Sequence, residues 1–295
     1  MTIKNKIFNR LLLIVGMMIL LQPAIFAQEA DSIRVRQKGW FAGLTFGASQ
    51  SQISEAGMLS VSALQNSGLS GLTGSAVAGY AFSDYFGISS GIRYLSFNNQ
   101  VTLNSYQNKF NTTDSENEAY ERQVSGTGII EKQTIGLLGV PVCLNFRIPV
   151  GRRAGFSLKT GIDLVVPVEK KYHSSGTLTY KGYYSKYNVL LENLPAYGFP
   201  TNALQSADGA LDLKPLWLDA SASIGVDFFI RKNLQAAIAV NFTQSLSDVQ
   251  SYSSPDKFQL STDINQINSM MGGSSKTTLQ STGLEFSLRY YLTRK

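Results

Sequence analysis

The chain has one histidine, one cysteine and little charge: Asp, Glu, Lys and Arg make up 16% of its 295 residues. A lone Cys143 cannot close an intrachain disulfide, so other forces must hold the fold. One histidine and one cysteine do not supply a zinc site. Basic residues exceed acidic ones, 26 against 20, but they form no concentrated stripe of the kind nucleic acid requires. Also missing, after residue 21, is any run of 18 apolar residues, so no transmembrane helix is expected. Leu11 to Leu21 is apolar throughout but short of the about 20 residues that span a bilayer.

That short run has the form of an export signal. Lys4, Lys6 and Arg10 precede it, and Ala27 supplies the small residue a signal peptidase needs. Residues 1–27 are therefore expected to be a signal peptide, cleaved near Ala27. Its three basic residues and no acidic ones carry half of the formal charge of +6. No cysteine follows the run, which excludes a lipid anchor there. Residues 28–38 read as a short periplasmic lead-in, and 39–295 as one domain without a linker.

The body of the chain is dominated by a period of two. From Gly283 to Leu292, Leu284, Phe286, Leu288, Tyr290 and Leu292 share one face, while Glu285, Ser287, Arg289 and Tyr291 share the other. This is the pattern of a strand with one apolar and one wet face. Seven more segments alternate in the same way: about Gly39–Ser49, Thr73–Phe82, a third from Tyr85, Ile129–Pro149, a fifth from Phe156, Leu216–Ile230, and a seventh from Leu234 to Phe242. Ser83-Asp84, Val150–Gly155 and Arg231–Asn233 are tight polar turns. The other connections, about Gln50–Leu72, Gln107–Thr127, Tyr184–Leu213 and Ser247–Lys276, are long and rich in Ser, Asn, Gln, Gly and Thr. Short and long connections alternate. The expectation is an all-β fold: an eight-stranded antiparallel transmembrane up-and-down barrel, with short periplasmic turns, four long external loops and an outer-membrane location.

Two features favour lipid over a soluble core as the partner of the apolar face. Trp40, Phe82, Tyr85, Phe86, Phe146, Phe156, Phe228, Phe229, Tyr290 and Tyr291 all fall near the short turns or the ends, as an interfacial girdle would. The wet face carries few charges, and these balance: Arg93, Arg147, Lys159 and Arg289 against Asp163, Asp219, Asp227 and Glu285. An eight-stranded barrel is just wide enough to be filled by side chains. Buried charges there must pair, so these eight are expected to form a salt-bridge network that plugs the lumen. The rival reading is an ion path.

The segment Val140-Pro141-Val142-Cys143-Leu144-Asn145-Phe146-Arg147-Ile148-Pro149 resembles a strand of the PorT-like outer-membrane barrels of Bacteroidetes, within the wider class of small OmpA/OmpX-like barrels. Phe156 to Leu164 is similar to the next strand of that group, although Thr160-Gly161-Ile162-Asp163 departs from its usual Gly-rich form. Ser281 to Leu288 resembles the assembly signal of outer-membrane barrels, with seven residues following it. The resemblance implies fold, location and recognition by the barrel-assembly machinery. It implies no enzymatic activity. One branch of the group is associated with secretion.

Chemistry is sparsely supplied. His173, beside Ser174 and Ser175, continues the wet parity of its strand and is expected to face the lumen. No nucleophile elbow accompanies it, and no catalytic residue, cofactor or metal ligand is assigned. Asp114 to Glu118 reads as a solvated loop, not a calcium loop. Cys143 shares the lumen parity and reads as a packing residue. Tyr180, Tyr183, Tyr184, Lys186 and Tyr187 lead into the third long loop and suit recognition of a glycan, a protein or lipopolysaccharide phosphate. The expected role is a non-enzymatic barrel that works structurally or binds at the surface through its loops, surrounded by outer-membrane lipid and lipopolysaccharide. The alternatives are a small-solute channel or an accessory part of a secretion system.

Overall fold

The computed structural model of the protein describes residues 38–56, 64–252 and 258–292. The expected signal peptide and the lead-in up to residue 37 lie outside the described residues. Among the described residues eleven strands follow one another: β1 (Gly39–Ala56), β2 (Leu64–Gly68), β3 (Ser70–Ala81), β4 (Phe86–Thr113), β5 (Ala119–Val150), β6 (Ala154–Tyr184), β7 (Val189–Leu191), β8 (Ala203–Ala210), β9 (Trp217–Arg231), β10 (Leu234–Ser245) and β11 (Lys276–Tyr291).

Eight of them close a ring of antiparallel neighbours in the order β1, β3, β4, β5, β6, β9, β10, β11. The seam is long: β11 zips back onto β1 from Phe41↔Tyr291 to Ala56↔Lys276. In the half next to the short turns, up to about Gln50 on β1 and Val165 on β6, closure leaves no open edge, so the backbone polar groups there are satisfied internally, as lipid demands. Hence the alternating segments are legible as strands, and the short turns lie where the polar pairs stand. At one of them Phe82 and Ser83 donate their backbone N–H to the Phe86 carbonyl. At another, Gly151 takes a left-handed φ of 67°.

The strands run further than the alternation suggested. β4, β5 and β6 contain 28, 32 and 31 residues, about 100 Å along each strand at 3.3 Å per residue. The expected loop Gln107–Thr127 is instead the end of a hairpin, paired out to Thr113↔Ala119. Its turn is closed by Asp114, whose carboxylate accepts from the backbone N–H of Glu116 and Glu118 at 2.9 Å each. The composition misled because this part of the sheet has a wet outer face. Its polar residues point to water on the outside, while Tyr106, Tyr120 and Val124 are buried inside.

Polarity therefore inverts along the barrel. Near the short turns the apolar residues point out: Val140, Val142, Leu144, Phe146 and Ile148 on β5 are all exposed, Ile148 by 67%. Beyond them the same strand turns Leu137 and Ile135 inward, each fully buried. Register shifts change which parity faces in. On β6 the shift falls at Val168, between the pairs Gly136↔Glu169 and Leu137↔Pro167. On β5 a second falls at Gly128 and Ile129, where Gly128 has a φ of 59°. Two apolar clusters fill the far half. One joins Ile53, Phe97, Leu137, Val165, Leu211 and Trp217. The other joins Leu103, Ile129, Leu178, Tyr180, Leu260 and Met270. Each fully buried aliphatic side chain there contributes about 1.5–3 kcal/mol.

Two expected loops thus become structure. Tyr184–Leu213 contains β7, a 3-10 turn at Pro195–Tyr197 and β8, both strands pairing with β6. The described part of Ser247–Lys276 turns into the barrel mouth, burying Val249, Leu260, Ile267, Met270 and Met271. In the Gln50–Leu72 connection, β1 continues to Ala56 and β2 pairs with β4, while 57–63 lie outside the described residues.

Candidate functional site

Three levels stack along the barrel. The lowest is the ionic lumen. Arg93 Nη1 meets Asp163 Oδ2 at 2.7 Å, and Arg93 Nη2 donates to Thr243 at 3.1 Å. Ser221 donates to the other Asp163 oxygen at 3.0 Å. Arg147 Nε meets Asp227 at 2.7 Å, and Lys159 Nζ meets Glu285 at 3.1 Å. Strand alternation puts these side chains inside, and the register brings partners from β4, β5, β6, β9 and β11 to the same height.

The structure brings six of the eight expected network residues into ion pairs. The other two reach the lumen but bond to neutral partners. Arg289 donates to Asn145 Oδ1 at 3.3 Å and lies over the Phe41 ring at 5.4 Å. Asp219 accepts the Trp217 indole N–H at 2.8 Å. A pocket of about 40 Å³ opens between Arg147, Lys159, Arg289 and the Ser83–Tyr85 turn. That admits a few waters.

The aromatic girdle needs one correction. Trp40, Phe82, Tyr85, Phe86, Phe146, Phe156, Phe228 and Tyr290 are exposed on the outer wall, but Phe229 and Tyr291 are buried in the lumen. Adjacent residues of a strand face opposite sides, so Phe228-Phe229 and Tyr290-Tyr291 each send one ring out and one in. The inner pair packs with Phe41 beneath Arg147 and Arg289.

Above the ionic lumen sits the first apolar cluster, and above that a clamp centred on Glu131. Fully buried on β5, its carboxylate accepts from Gln133 Nε2, Ser174 Oγ and Ser269 Oγ at 2.8 Å each, and from the Met270 N–H at 2.7 Å. This ties the inward-turned segment of the last connection to the wall. Burial raises the Glu131 carboxyl despite those donors. Glu55, on β1, shares the same Gln133 nitrogen at 2.8 Å, and burial pushes it up to about 7. None of these residues stands out in the sequence: Glu55 falls in 50–72 and Ser269 and Met270 in 247–276, which read as loops. The available signal was parity: Glu131 and Gln133 fall in step with Ile135 and Leu137.

The third level is the outer tip. Of the residues expected there, Tyr180 is a correction: it is fully buried, donating to or accepting from Ser261 at 2.7 Å. The remaining four hold the tip together. Tyr184 donates to Asp114 at 3.0 Å, Tyr187 donates to Glu118 at 3.0 Å, and Lys186 meets Glu118 at 2.7 Å. Tyr183 donates to Asn188 at 2.9 Å. Lys186 beside it holds the Glu118 carboxyl down, and backbone donation from Glu118 does the same for Asp114. Burial, aided by the bond to Asp114, pushes Tyr184 up to about 12. Tyr187 stays exposed, and with it Val189, Leu190, Leu194 and Tyr197, the last by 77%.

His173 is the other correction. The shift at Val168 reverses the parity, so the ring faces outward, with Nδ1 2.7 Å from Asp208 on β8. Its expected place in the lumen is lost, and the adjacent Ser174 points the other way, inward to Glu131. Cys143 is buried among the lumen residues, as expected. Among the described residues no three His, Cys, Asp or Glu side chains converge on a metal position, and no helix is long and apolar enough to cross a membrane. The closed ring crosses with strands. Its outward apolar band and sealed edges are those of an outer-membrane barrel.

No protein-family model and no curated protein matches the chain. Among solved structures, OprG of Pseudomonas aeruginosa is similar at 14% identity, a TM-score of 0.41 and coverage of 88% of this chain and 100% of that one. Neisserial surface protein A is similar at 10% identity, a TM-score of 0.38 and coverage of 86% and 100%. The attachment invasion locus protein of Yersinia pestis follows at 11% identity, a TM-score of 0.32 and coverage of 85% and 99%.

Proposed function

We propose that this protein is a closed outer-membrane barrel that acts through its outer tip as a surface-binding module, without conducting solute and without catalysis. The observation that carries the reading is the filled far half. Two buried apolar clusters and an inward-turned segment occupy the mouth, and three ion pairs occupy the lumen below. Strands of 28 to 32 residues far exceed the about 9–11 needed to cross a bilayer, so they hold the tip well clear of it. At that tip, Tyr187, Val189, Leu190, Leu194 and Tyr197 stand exposed on a frame braced by Glu118 and Asp114. Exposed aromatic and aliphatic side chains on a rigid frame suit a protein or glycan partner. Lipid and lipopolysaccharide surround the band below. The resemblance of residues 140–149 to PorT-like barrels, and of Ser281 to Leu288 to an assembly signal, supports delivery by the barrel-assembly machinery.

The test joins two measurements. Planar-bilayer recordings of the purified barrel are expected to stay silent; steady conductance would overturn the plug. Cells displaying the protein are expected to retain protein- or glycan-coated beads. Replacement of Tyr187, Leu190 and Tyr197 by Ser should abolish that retention with barrel yield unchanged. Equal retention by the variant would remove the tip from the function.

A further inference from the structure

A group of oxygen-bearing side chains inside the far half has more acceptors than donors. Gln133 is locked by its neighbours: its Nε2 donates to Glu55 Oε1 and to Glu131 Oε1, each at 2.8 Å. Its Oε1 must then accept, and does so from Asn99 Nδ2 at 3.0 Å. That fixes the Asn99 amide and leaves Asn99 Oδ1 without a hydrogen-bond partner among the described residues, on a side chain that is fully buried. Glu55 Oε2 and Asn66 Oδ1, on half-buried side chains, are also buried atoms without a partner among the described residues. Asn66 donates its Nδ2 to the Ile53 carbonyl, two residues before Glu55. Pairing of Asn66 with Val101 and of Asn99 with Gln133 sets these side chains at neighbouring heights.

All three orphan atoms are acceptors. A single proton on Glu55 relieves at most two of them, itself and one amide oxygen. A cation held among them would meet all three. Charge points the same way. Glu55 and Glu131 converge on one amide nitrogen, and among the described residues neither forms an ion pair with Lys, Arg or His. Two carboxylates and neutral oxygens match a hard divalent ion, and calcium takes such mixed carboxylate and amide sets with water in the remaining positions. Glu131 is saturated by its four donors, so it contributes charge from beside the site, not a ligand.

We infer that Glu55, Asn66 and Asn99 form a calcium site that braces β1, β2 and β4 beneath the tip. The inference is independent of what the tip binds. Calcium titrated into chelator-stripped protein, folded in a neutral maltoside detergent without lipopolysaccharide, is expected to bind at one site. The dissociation constant should be about 10⁻⁴–10⁻³ M, the range of extracellular modules. The thermal midpoint should rise with calcium, and less with magnesium, which dehydrates reluctantly. Glu55→Gln is expected to weaken binding by about tenfold or more, because affinity follows ligand charge. Asn99→Ala, which keeps both carboxylates, is a second variant should Glu55→Gln fail to fold, and it too should bind more weakly. Absence of calcium binding, or equal binding by the wild type and Asn99→Ala, would overturn the site. So would a wild type indifferent to calcium whose chelated midpoint rises on Glu55→Gln, since that assigns the deficit to a proton.

Discussion

Trp217 and Asp219, two residues apart on β9, are joined by an indole N–H to carboxylate bond of 2.8 Å. The bond marks the floor of the plug. Trp217 belongs to the first apolar cluster, while Asp219 lies among the charges of the lumen, cross-strand from Asp163. One ring thus closes the apolar half and donates into the ionic half. Trp217→Phe keeps the packing and removes the donor. It is expected to cost about 1–3 kcal/mol, the penalty for an unsatisfied buried group. Trp217→Phe with Asp219→Ala should cost less than the sum of the single changes. Denaturant midpoints in lipid vesicles measure both.

Arg93 and Asp163 form the central pair of the lumen, 2.7 Å apart. Arg93→Ala leaves a buried carboxylate uncompensated and is expected to cost about 3–5 kcal/mol. Arg93→Ala with Asp163→Ala should recover much of that. Neither variant should conduct in a planar bilayer, because the apolar clusters above are untouched.

Stability should also depend on pH through Glu55. Its carboxyl is raised from 4.5 to about 7 by burial, so the folded protein binds more protons than the unfolded chain between those values. The stabilisation is whole below about 4.5 and is lost as pH rises through about 7. With calcium chelated, the loss should be on the order of 3 kcal/mol, and Glu131, also raised by burial, should add to it with the same sign. Glu55→Gln should flatten the profile. A profile unchanged by Glu55→Gln would count against this assignment.

Gly128 carries the register shift on β5 with a φ of 59°, and no atom lies within 4 Å of the place a Cβ would take. Gly128→Ala therefore meets no clash, and its cost is conformational, about 1–2 kcal/mol. Gly126→Ala differs: its methyl would meet Leu178 Cδ2 at 2.6 Å. Limited proteolysis of the outer hairpin should accelerate in both variants, with the membrane-embedded fragment still protected.

Tyr180 and Tyr187 separate packing from recognition. Tyr180 is fully buried, with its hydroxyl on Ser261, whereas Tyr187 is 55% exposed. Tyr180→Ala is expected to cost about 3–5 kcal/mol as a core truncation. Tyr187→Ala removes an exposed bond to Glu118 and is expected to cost only about 1 kcal/mol, its larger effect falling on bead retention.

How far the sequence could be read follows from where each face points. In the membrane-crossing part, the alternation of Leu284, Phe286 and Leu288 against Glu285, Ser287 and Arg289 has a single solution, apolar out and charged in. Eight strands and the inner location of all eight charges were legible from it. In the outer half the same alternation has a reversed meaning, because water replaces lipid outside. Segments such as Gln107–Thr127 then look like loops by composition, although their inward residues pack a core. His173 and Tyr180 were misplaced because the register shift at Val168, beyond which the even-numbered residues of β6 face inward, leaves no mark in composition.

By itself, then, the sequence determined the strands that cross the membrane, the short turns and the balance of lumen charge, since period two and residue polarity are local properties. Tertiary structure decided which charges pair, that Arg289 and Asp219 take neutral partners, and that the barrel mouth is filled. Those outcomes depend on register across strands distant in sequence and on a segment folding back inside. Glu131 shows the reason most directly: it is an ordinary strand glutamate until Ser174, Ser269 and Met270, 43 to 139 residues away, arrive to bond it.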